Sequence, residues 1–308
     1  MAVRLDGQVA LVTGAGRGLG RAYALDLAKH GAKVIINDFG GSVSGEGNID
    51  ETPAQQVVNE IKAMGGEAVA NPGDVGSYED CYNMVKQAMD TWGRLDAVVC
   101  NAGILRDLAL HNMSEHDWDL VVRVHLKQCY NILHHAWPVF RQQAYGRVVM
   151  ATSSSGLVGN FGQANYGAAK AGMLGLMNVA KIEGEKYNIM VNLISPGAFT
   201  RMTEGLMGAR GGDQEERKQT MAPDHVAPAV TYMASAQCTE SGVCIEASGG
   251  RYGRTQIVRT AGVSYDAHEF KDADWFASQW DKIADMSGAT APWTMQETRE
   301  AHYAAKKA

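Results

Sequence analysis

The feature that most limits how this chain can fold is a glycine-rich turn between an apolar run and an amphipathic segment. Residues 9–13 read VALVT, and Gly14, Gly18 and Gly20 follow at the start of a helix predicted over residues 18–30. A short, wholly apolar run is typical of a strand buried on both faces of a parallel sheet. Glycine permits the tight turn and the close backbone approach that such a unit needs. The segment therefore predicts the first βα unit of an open α/β sheet.

The same alternation of strand-length apolar runs and longer amphipathic segments continues over the first 250 residues. The predicted strands are 9–13, 33–37, 67–70, 95–100, 146–152, 189–194 and 243–247. The predicted helices are 18–30, 52–64, 78–92, 115–141, 164–186 and 223–236. This alternation predicts an α/β fold, a single doubly wound Rossmann-type domain over residues 1–250 with a seven-stranded parallel sheet.

Two stretches depart from this rhythm. Residues 39–52 are polar and glycine-rich, which favours a surface loop after the second strand. Residues 251–308 follow the last predicted strand and contain Trp275, Trp280 and Trp293. Because disordered tails contain few aromatic residues, we expect an ordered C-terminal extension packed on the domain or on a dimer partner.

Composition and charge exclude several other classes of protein. The chain has 308 residues, is 45% hydrophobic and carries a net charge of -6, which disfavours nucleic acid as a main partner. Its five cysteines are scattered without a CxxC pair, so we expect reduced thiols and no metal site. We expect no membrane partner, because no apolar run approaches the ~20 residues of a membrane span. The first residues have no apolar signal segment, and residues 305–308 (AKKA) differ from a Ser-Lys-Leu signal, so we expect a cytoplasmic protein.

The glycine-rich turn is a candidate dinucleotide site. A helix that begins at such a turn offers its first backbone N–H groups to a pyrophosphate, which assigns this role to Gly14, Arg17, Gly18, Leu19 and Gly20. Asp38 ends the second strand, where a carboxylate binds the adenosine ribose hydroxyls and repels a 2′-phosphate, so NAD is favoured. Arg17 would favour NADP instead, because a guanidinium pairs with phosphate. Asp38 is also compatible with a simple turn before Gly40.

A candidate acid–base pair lies in the fifth predicted helix. Tyr166 and Lys170 are four residues apart and share one helical face. The pKa of an unperturbed tyrosine is about 10, and a nearby ammonium together with a cationic nicotinamide ring is expected to lower it. Tyr166 could then take a proton from an alcohol or give one to a ketone. The alternative is an ordinary amphipathic pair.

The ordered set of motifs resembles the classical short-chain dehydrogenases/reductases over residues 5–250. The set consists of Thr13-Gly14-x3-Gly18-x-Gly20, Asn101-Ala102-Gly103, Ser153, Tyr166-x3-Lys170 and Pro196-Gly197. The resemblance implies an oxidoreductase that transfers a hydride between a nicotinamide dinucleotide and a secondary alcohol or ketone. It also implies that Ser153 orients the substrate oxygen and that Lys170 holds the nicotinamide ribose. Ser154 and Ser155 are adjacent, so the serine assignment depends on spacing.

The resemblance assigns further contacts. It implies that Asp74 and Val75 bind adenine, that Asn101, Ala102 and Gly103 line the adenosine side, and that Pro196, Gly197 and Thr200 approach the nicotinamide. His125 stands where the family has a catalytic asparagine that holds a water through its main-chain carbonyl. His125 would keep that role through its own carbonyl, or it is simply a core histidine. Cys100 before Asn101 and the short spacing from Gly197 to Thr200 depart from the family pattern.

Four segments, 37–41, 101–107, 123–126 and 159–166, resemble the (3R)-hydroxyacyl-CoA dehydrogenase unit of type 2 peroxisomal multifunctional enzymes. This resemblance implies oxidation of a (3R)-3-hydroxyacyl-CoA to the 3-ketoacyl-CoA with NAD. The alternatives are a dehydrogenase of hydroxysteroids or steroid side-chain CoA thioesters, an NADPH-dependent 3-ketoacyl reductase, and a nucleotide-binding regulator without turnover. Residues 199–221 stand where the family has its substrate lid.

The family resemblance also implies association into homodimers or homotetramers through the helices predicted over residues 115–141 and 164–186. The second of these contains the small residues Ala168, Ala169, Ala171, Gly172 and Gly175, which would allow close helix approach.

Overall fold

A computed structural model describes residues 2–42, 44, 52–208 and 213–298. The chain divides into two compact units, residues 1–254 and residues 255–308. Parts of three predicted segments lie outside the described residues: 43 and 45–51 of the polar insertion, 209–212 of the expected lid, and 299–308 of the extension.

The first unit is built on an eight-stranded sheet. Its strands are β1 (Val9–Thr13), β2 (Lys33–Asn37), β3 (Ala68–Asn71), β4 (Ala97–Cys100), β5 (Gly146–Ala151), β6 (Ile189–Gly197), β7 (Cys244–Ser248) and β8 (Arg251–Thr255). The order is β3-β2-β1-β4-β5-β6-β7-β8, and every pairing from β3 to β7 is parallel. The α/β Rossmann-type prediction is confirmed, but the predicted count of seven strands is one short. The missed strand, β8, lies at the sheet edge and reads RYGRT, so it offers no apolar run to detect.

Helices cover both faces of this sheet. They are α1 (Gly18–Lys29), α2 (Thr52–Ala63), α3 (Tyr78–Trp92), α4 (Glu115–Val122), α5 (Gln128–Gln143), α6 (Ser154–Leu157), α7 (Ala164–Gly184), α8 (Arg201–Gly208), α9 (Gln214–Thr220) and α10 (Ala227–Met233). Short 3₁₀ turns cover Leu110–Asn112, Glu185–Tyr187 and Pro223–His225. The helix predicted as continuous over residues 115–141 is interrupted, because a π-helical turn occupies Arg123–Lys127.

The core has two halves, one on each side of the sheet. Ala10 and Val12 of β1 contribute to the half that also contains buried residues of α1, α2 and α10. Val9 and Leu11 contribute to the other half, with buried residues of α3, α5 and α7. Since side chains alternate across a strand, a run that is apolar at every position supplies both halves at once.

The strand order fixes where a ligand could bind. β1 pairs with β2 on one side and with β4 on the other, so the connections after β1 and β4 leave on opposite faces and open a cleft. The carboxyl ends of the parallel strands share this edge. The fold therefore brings together the glycine-rich turn after β1, Asp38 after β2, and the segments that follow β4, β5 and β6.

The second unit contains two short helices, α11 (Ala273–Ser278) and α12 (Trp280–Ala284). Arg259 and Thr290 form an antiparallel bridge through two backbone hydrogen bonds of 2.7 and 2.9 Å. None of its described residues, 255–298, is fully buried, and Trp280 is 56% exposed. Helices this short do not enclose a core of their own. Over the described parts of both units, no helix is long and apolar enough to cross a membrane.

Candidate active site

A cavity lies at the carboxyl edge of the sheet and collects most of the predicted site. Its lining includes these predicted residues: Gly14, Arg17, Gly18, Leu19, Gly20, Asp38, Asp74, Val75, Asn101, Ala102, Gly103, His125, Tyr166, Lys170, Pro196 and Thr200. Ser153 and Gly197 do not line it. Residues to which the sequence assigned no ligand contact also line the cavity, among them Ile104, Arg123, Thr152 and Met202.

The glycine-rich turn is shaped by contacts that exclude larger side chains. Gly14 and Gly18 have φ angles of 61° and 54°, which L side chains rarely adopt. A Cβ on Gly14 would lie 2.8 Å from the Ala102 Cα, and one on Gly20 would lie 2.1 Å from the Gly14 carbonyl oxygen. Arg17 precedes α1 without a side-chain cap on the first turn of the helix. The turn thus presents backbone at close range, as a pyrophosphate site requires.

Asp38, at the end of β2, accepts hydrogen bonds from two turns, one after β1 and one after β2. Its Oδ2 accepts a hydrogen bond of 2.8 Å from the Gly16 N–H, and its Oδ1 accepts one of 2.8 Å from the Gly40 N–H. A carboxylate has about four acceptor positions, so both oxygens retain capacity for ribose hydroxyls. The turn role and the ligand role that the sequence left as alternatives are therefore compatible in one side chain.

A buried polar network joins β1, β4 and α5 beneath the turn. The Thr13 hydroxyl accepts hydrogen bonds from the Asn101 and Ala102 N–H groups at 2.9 and 3.0 Å, and it donates to Gln128 Oε1 at 3.0 Å. Gln128 Nε2 donates to the Ala102 carbonyl, and Asn101 Nδ2 donates to the Gly14 carbonyl at 3.3 Å. Asn101 thus orders the turn through its side chain. Gln128 was missed, because a glutamine in a helix carries no sequence signal of this role.

The residues expected near adenine include one ion pair. The Arg123 guanidinium donates to Asp74 Oδ2 at 2.9 Å, and the Gly76 N–H donates to Asp74 Oδ1 at 2.7 Å. A Cβ on Gly76 would lie 2.8 Å from the Arg123 guanidinium carbon. Arg123 lies in the π-helical turn that interrupts the predicted helix, and it lines the same cavity.

Tyr166 lies in the first turn of α7, where neighbouring side chains fix its position. Asn165 is buried, accepts the Tyr166 N–H at 2.7 Å and donates to the Arg106 and Asp117 carbonyls at 3.1 Å. Of the three consecutive serines after β5, Ser153 interacts with the Tyr166 phenol, whereas the Ser155 hydroxyl donates to Gln163. Ser153 is thus the serine beside the tyrosine.

Lys170 is buried behind the tyrosine, with its Nζ 5.4 Å from the centre of the Tyr166 ring. Its ammonium donates to the Ala151 carbonyl at the end of β5. Burial lowers the pKa of Lys170 to about 8, and the Cys129 and Cys100 thiols partly oppose this effect. Lys170 therefore exchanges a proton more readily than an exposed lysine.

The surroundings that the protein itself provides raise the pKa of Tyr166, whereas the expected lowering also included the charge of a bound nicotinamide ring. Loss of solvation around the phenol raises its pKa, and the charge of Asp107 adds to this. The interaction with the Ser153 hydroxyl opposes both effects. The sequence shows that Lys170 is one helical turn away, but it does not show how strongly the phenol is desolvated.

His125 is buried in the π-helical turn and faces Tyr166. The two rings meet edge to face with their centres 5.0 Å apart. His125 Nε2 lies 3.0 Å from the Ile104 nitrogen and 2.8 Å from the Ile104 oxygen, while Nδ1 has no hydrogen-bond partner among the described residues. Burial and the Lys170 charge hold the pKa of His125 well below its usual range. His125 is therefore a neutral wall of the cavity.

The end of β6 and the residues after it supply only some of the contacts predicted near the nicotinamide. Pro196 and Thr200 line the cavity, and Thr200 lies against Gly18, where a Cβ would be 3.4 Å from the Thr200 methyl carbon. Gly197 faces Ser248 instead, and a Cβ there would lie 2.5 Å from the Ser248 hydroxyl oxygen. Its glycine is required by packing between β6 and β7 rather than by the cavity.

These features together fit a nicotinamide dinucleotide. A glycine cradle that leaves no room for a Cβ, a carboxylate at the end of β2, and a tyrosine–lysine pair at the far end suit its pyrophosphate, ribose and nicotinamide respectively. The sequence profile of the family described as short chain dehydrogenase matches residues 8–210. The chain belongs to the short chain dehydrogenase family. It is thus an oxidoreductase that acts on CH–OH groups with a nicotinamide dinucleotide.

Comparisons with known proteins show which members of the family this chain is similar to. The chain is 44% identical over 297 residues to peroxisomal multifunctional enzyme type 2 of Mus musculus, covering 96% of this chain and 39% of that enzyme. It is 39% identical over 249 residues to the hydroxyacyl-CoA dehydrogenase ChsB1 of Mycobacterium tuberculosis, covering 77% of this chain and 75% of that protein. The structure of full-length peroxisomal multifunctional enzyme type 2 from Drosophila melanogaster superposes with a TM-score of 0.82 at 34% identity, covering 99% of this chain and 50% of that one. The predicted resemblance to type 2 multifunctional enzymes is confirmed, although the chain spans half of their length or less.

Proposed function

We propose that this short chain dehydrogenase oxidises (3R)-3-hydroxyacyl-CoA thioesters to 3-ketoacyl-CoA with NAD⁺. The observation that carries the proposal is the group formed by Tyr166, its neighbour Ser153 and the buried Lys170 beside one cavity. The acyl-CoA substrate is supported by the names of similar proteins, a hydroxyacyl-CoA dehydrogenase and multifunctional enzymes of type 2.

In this proposal, Ser153 and Tyr166 hold the reacting oxygen. The Ser153 hydroxyl donates a hydrogen bond to the substrate oxygen, and Tyr166 takes the hydroxyl proton as the alcohol is oxidised. The bound dinucleotide supplies the hydride acceptor. Because burial raises the pKa of Tyr166, the phenol needs positive charge nearby before it works as a base. In the reverse direction the same raised pKa keeps the phenol protonated and ready to donate.

Lys170 supplies positive charge and a route for the proton. Its ammonium points to the Ala151 carbonyl and also suits a hydrogen bond to the nicotinamide ribose. With a pKa of about 8, it holds a proton at neutral pH and releases it at mildly alkaline pH. The His125 carbonyl, which accepts a weak hydrogen bond from the Cys129 thiol at 3.5 Å, is proposed to hold a water of this route. His125 itself takes no part as an acid, because its pKa is too low.

The remaining contacts with the dinucleotide are assigned to residues that line the cavity. We assign the pyrophosphate to the turn from Gly14 to Gly20, the adenine to Asp74 and Val75, and the nicotinamide to Pro196 and Thr200. Asp38 favours NAD over NADP, because its carboxylate would repel a 2′-phosphate. Arg17 also lines the cavity and supports the second candidate, an NADPH-dependent 3-ketoacyl reductase.

We also propose that the protein forms a homodimer or homotetramer. Tyr130 of α5 and Val179 and Ile182 of α7 are large side chains left exposed on the two helices expected to associate. A monomer mass by light scattering at micromolar concentration would contradict this. A cytoplasmic location stays our proposal beside a peroxisomal one, which the names of the multifunctional relatives favour.

The experiment that tests the function is a reduction assay with NAD⁺ and NADP⁺ against (3R)- and (3S)-3-hydroxyacyl-CoAs and a set of hydroxysteroids. We expect the highest kcat/KM with NAD⁺ and a (3R)-hydroxyacyl-CoA. Faster turnover of a hydroxysteroid, or of the (3S) series, would contradict the proposal. A Tyr166→Phe variant is the matched control for background reduction.

A further inference from the structure

Four large apolar side chains stand exposed on the two loops that follow β4 and β5. They are Leu108, Leu110, Val158 and Phe161, which we call the apolar rim, and they are 42%, 71%, 85% and 90% exposed. Single exposed apolar residues are ordinary, but neighbouring ones mark a binding surface. The cavity that we assign to the dinucleotide contains none of the four.

Backbone contacts hold the two loops of the rim side by side. The Leu108 N–H donates to the Gly162 carbonyl at 2.8 Å, and Leu108 forms a parallel bridge with Gln163. Phe161 directly precedes Gly162, so it belongs to the same edge as Leu108. The rim is therefore built from two neighbouring loops that come from distant parts of the sequence.

Gln163 fixes the two loops relative to Tyr166. It is buried, and its Nε2 donates to Asp107 Oδ2 at 2.8 Å, while its Oε1 accepts from the Ser155 hydroxyl at 2.7 Å and from Asn160 Nδ2 at 3.0 Å. It also stands immediately before α7, which carries Tyr166. Because every polar group of Gln163 is bonded, the loops are held in place before a ligand arrives.

The rim is connected along the chain to Ser153 and Tyr166, the residues assigned to the reacting oxygen. Val158 follows Ser153 by five residues and Phe161 precedes Tyr166 by five, so both belong to the segment that joins the two residues assigned to the reacting oxygen. Residues 157–163 (LVGNFGQ) contain no charged side chain. This part of the rim therefore suits a hydrocarbon chain better than the phosphates of coenzyme A.

We propose that the apolar rim binds the part of the acyl chain beyond the reacting carbon and makes the enzyme select long acyl chains over short ones. This inference rests on the proposed function, because it takes an acyl thioester as the substrate. Phe161 and Val158 are the specificity-determining residues, since they are the most exposed of the four and gain most from being covered.

The test is the double variant Val158→Ser, Phe161→Ser, assayed with 3-hydroxydodecanoyl-CoA and 3-hydroxybutanoyl-CoA. We expect kcat/KM for the long substrate to fall by about tenfold or more, because the variant removes two apolar side chains that a bound acyl chain would cover. We expect less than a ~2-fold change for the short substrate, whose chain ends before the rim. Met64→Ser is the matched control, because Met64 is also a large exposed side chain and lies outside the cavity lining.

Other outcomes overturn the inference. Equal losses for both substrates would mean that the rim only supports Ser153 and Tyr166. An unchanged preference for chain length with a lower mass by light scattering would mean that a second copy of the chain covers the rim. If the wild type turns over no hydroxyacyl-CoA, the proposed function fails, and calorimetric titration with dodecanoyl-CoA then decides the rim separately. Equal affinity of wild type and double variant would overturn it.

Discussion

Lys170 offers a direct test of how much folding stability the protein loses by burying a charged side chain in its candidate active site. We predict that Lys170→Met abolishes turnover. We also predict that the stability of the variant, measured relative to wild type, is higher at neutral pH than at alkaline pH. The side chain is 3% exposed, and burial lowers its pKa from 10.5 to about 8. A difference of this size corresponds to about 3.5 kcal/mol, at about 1.4 kcal/mol per pKa unit. Methionine has a similar length and carries no charge to desolvate.

The direction in which stability changes with pH follows from proton binding at Lys170. Between pH 8 and 10.5 the unfolded chain binds a proton at this lysine more tightly than the folded chain, so wild-type stability rises with pH over that window. The variant loses this dependence. It also loses the hydrogen bond from Nζ to the Ala151 carbonyl, which costs about 1–3 kcal/mol at every pH. We therefore expect Lys170→Met to be as stable as wild type or slightly more stable at pH 7, and less stable above pH 10.

Urea unfolding of both proteins at several pH values between 7 and 10.5 measures this difference. Ionisable groups that do not interact with Lys170 contribute equally to both proteins, so the difference between the two free energies of unfolding should change by about 3.5 kcal/mol across the window. Parallel curves would refute the reasoning, because they would mean that the buried lysine keeps its ordinary pKa. A Lys170→Arg variant is the charged control, since a guanidinium stays protonated throughout.

Three further changes test other parts of the site and core. Tyr166→Phe should lower kcat at least about 100-fold and leave dinucleotide affinity nearly unchanged in a fluorescence titration; a fall below about tenfold would contradict its role. Asp38→Ser should shift the ratio of kcat/KM values from NAD towards NADP and lower Tm, because Gly16 and Gly40 lose their acceptor; a wild type that already prefers NADP would refute this. Tyr23→Phe should leave the urea midpoint unchanged or raise it, because the buried Tyr23 hydroxyl has no partner among the described residues; a clear loss would reveal one.

Much of the fold could be predicted because its strands lie inside the sheet. A strand such as β1 is apolar at every position, and that pattern appears directly in the sequence. β8 lies at the edge, where charged residues are allowed, so it has no such pattern. The π-helical turn at Arg123–Lys127 was also missed, since one extra residue in a helical turn leaves the apolar periodicity nearly intact.

The candidate site, too, could be predicted only where a local sequence pattern defines it. The glycine-rich turn and the Tyr166–Lys170 pair could be predicted because spacing within one local segment defines them. Gln128 and Gln163 could not, because each acts through partners that only the fold brings near: Thr13 is 115 residues from Gln128. The pKa of Tyr166 depends on the surroundings of its phenol, and no local spacing records those surroundings.

The C-terminal extension leads to the last prediction. The boundary between the two compact units falls after Arg254, and every residue that lines the assigned dinucleotide cavity lies before residue 203. The extension also keeps two large aromatic side chains exposed, Phe270 fully and Trp280 by more than half, so both are available to a ligand or a partner. We therefore predict that truncation after Arg254 raises KM for the acyl-CoA and leaves the affinity for NAD unchanged.

Steady-state kinetics and a fluorescence titration of NAD separate the two effects, and circular dichroism confirms that the truncated chain stays folded. A matched double variant, Phe270→Ser with Trp280→Ser, keeps the extension and removes only its exposed aromatic rings, so it should reproduce the higher KM. If both proteins kept wild-type kinetics and only melted at a lower temperature, the extension would be a brace for the fold. The exposed rings would then need a different explanation, because a brace stabilises by burying its aromatic side chains, and these two remain in contact with solvent.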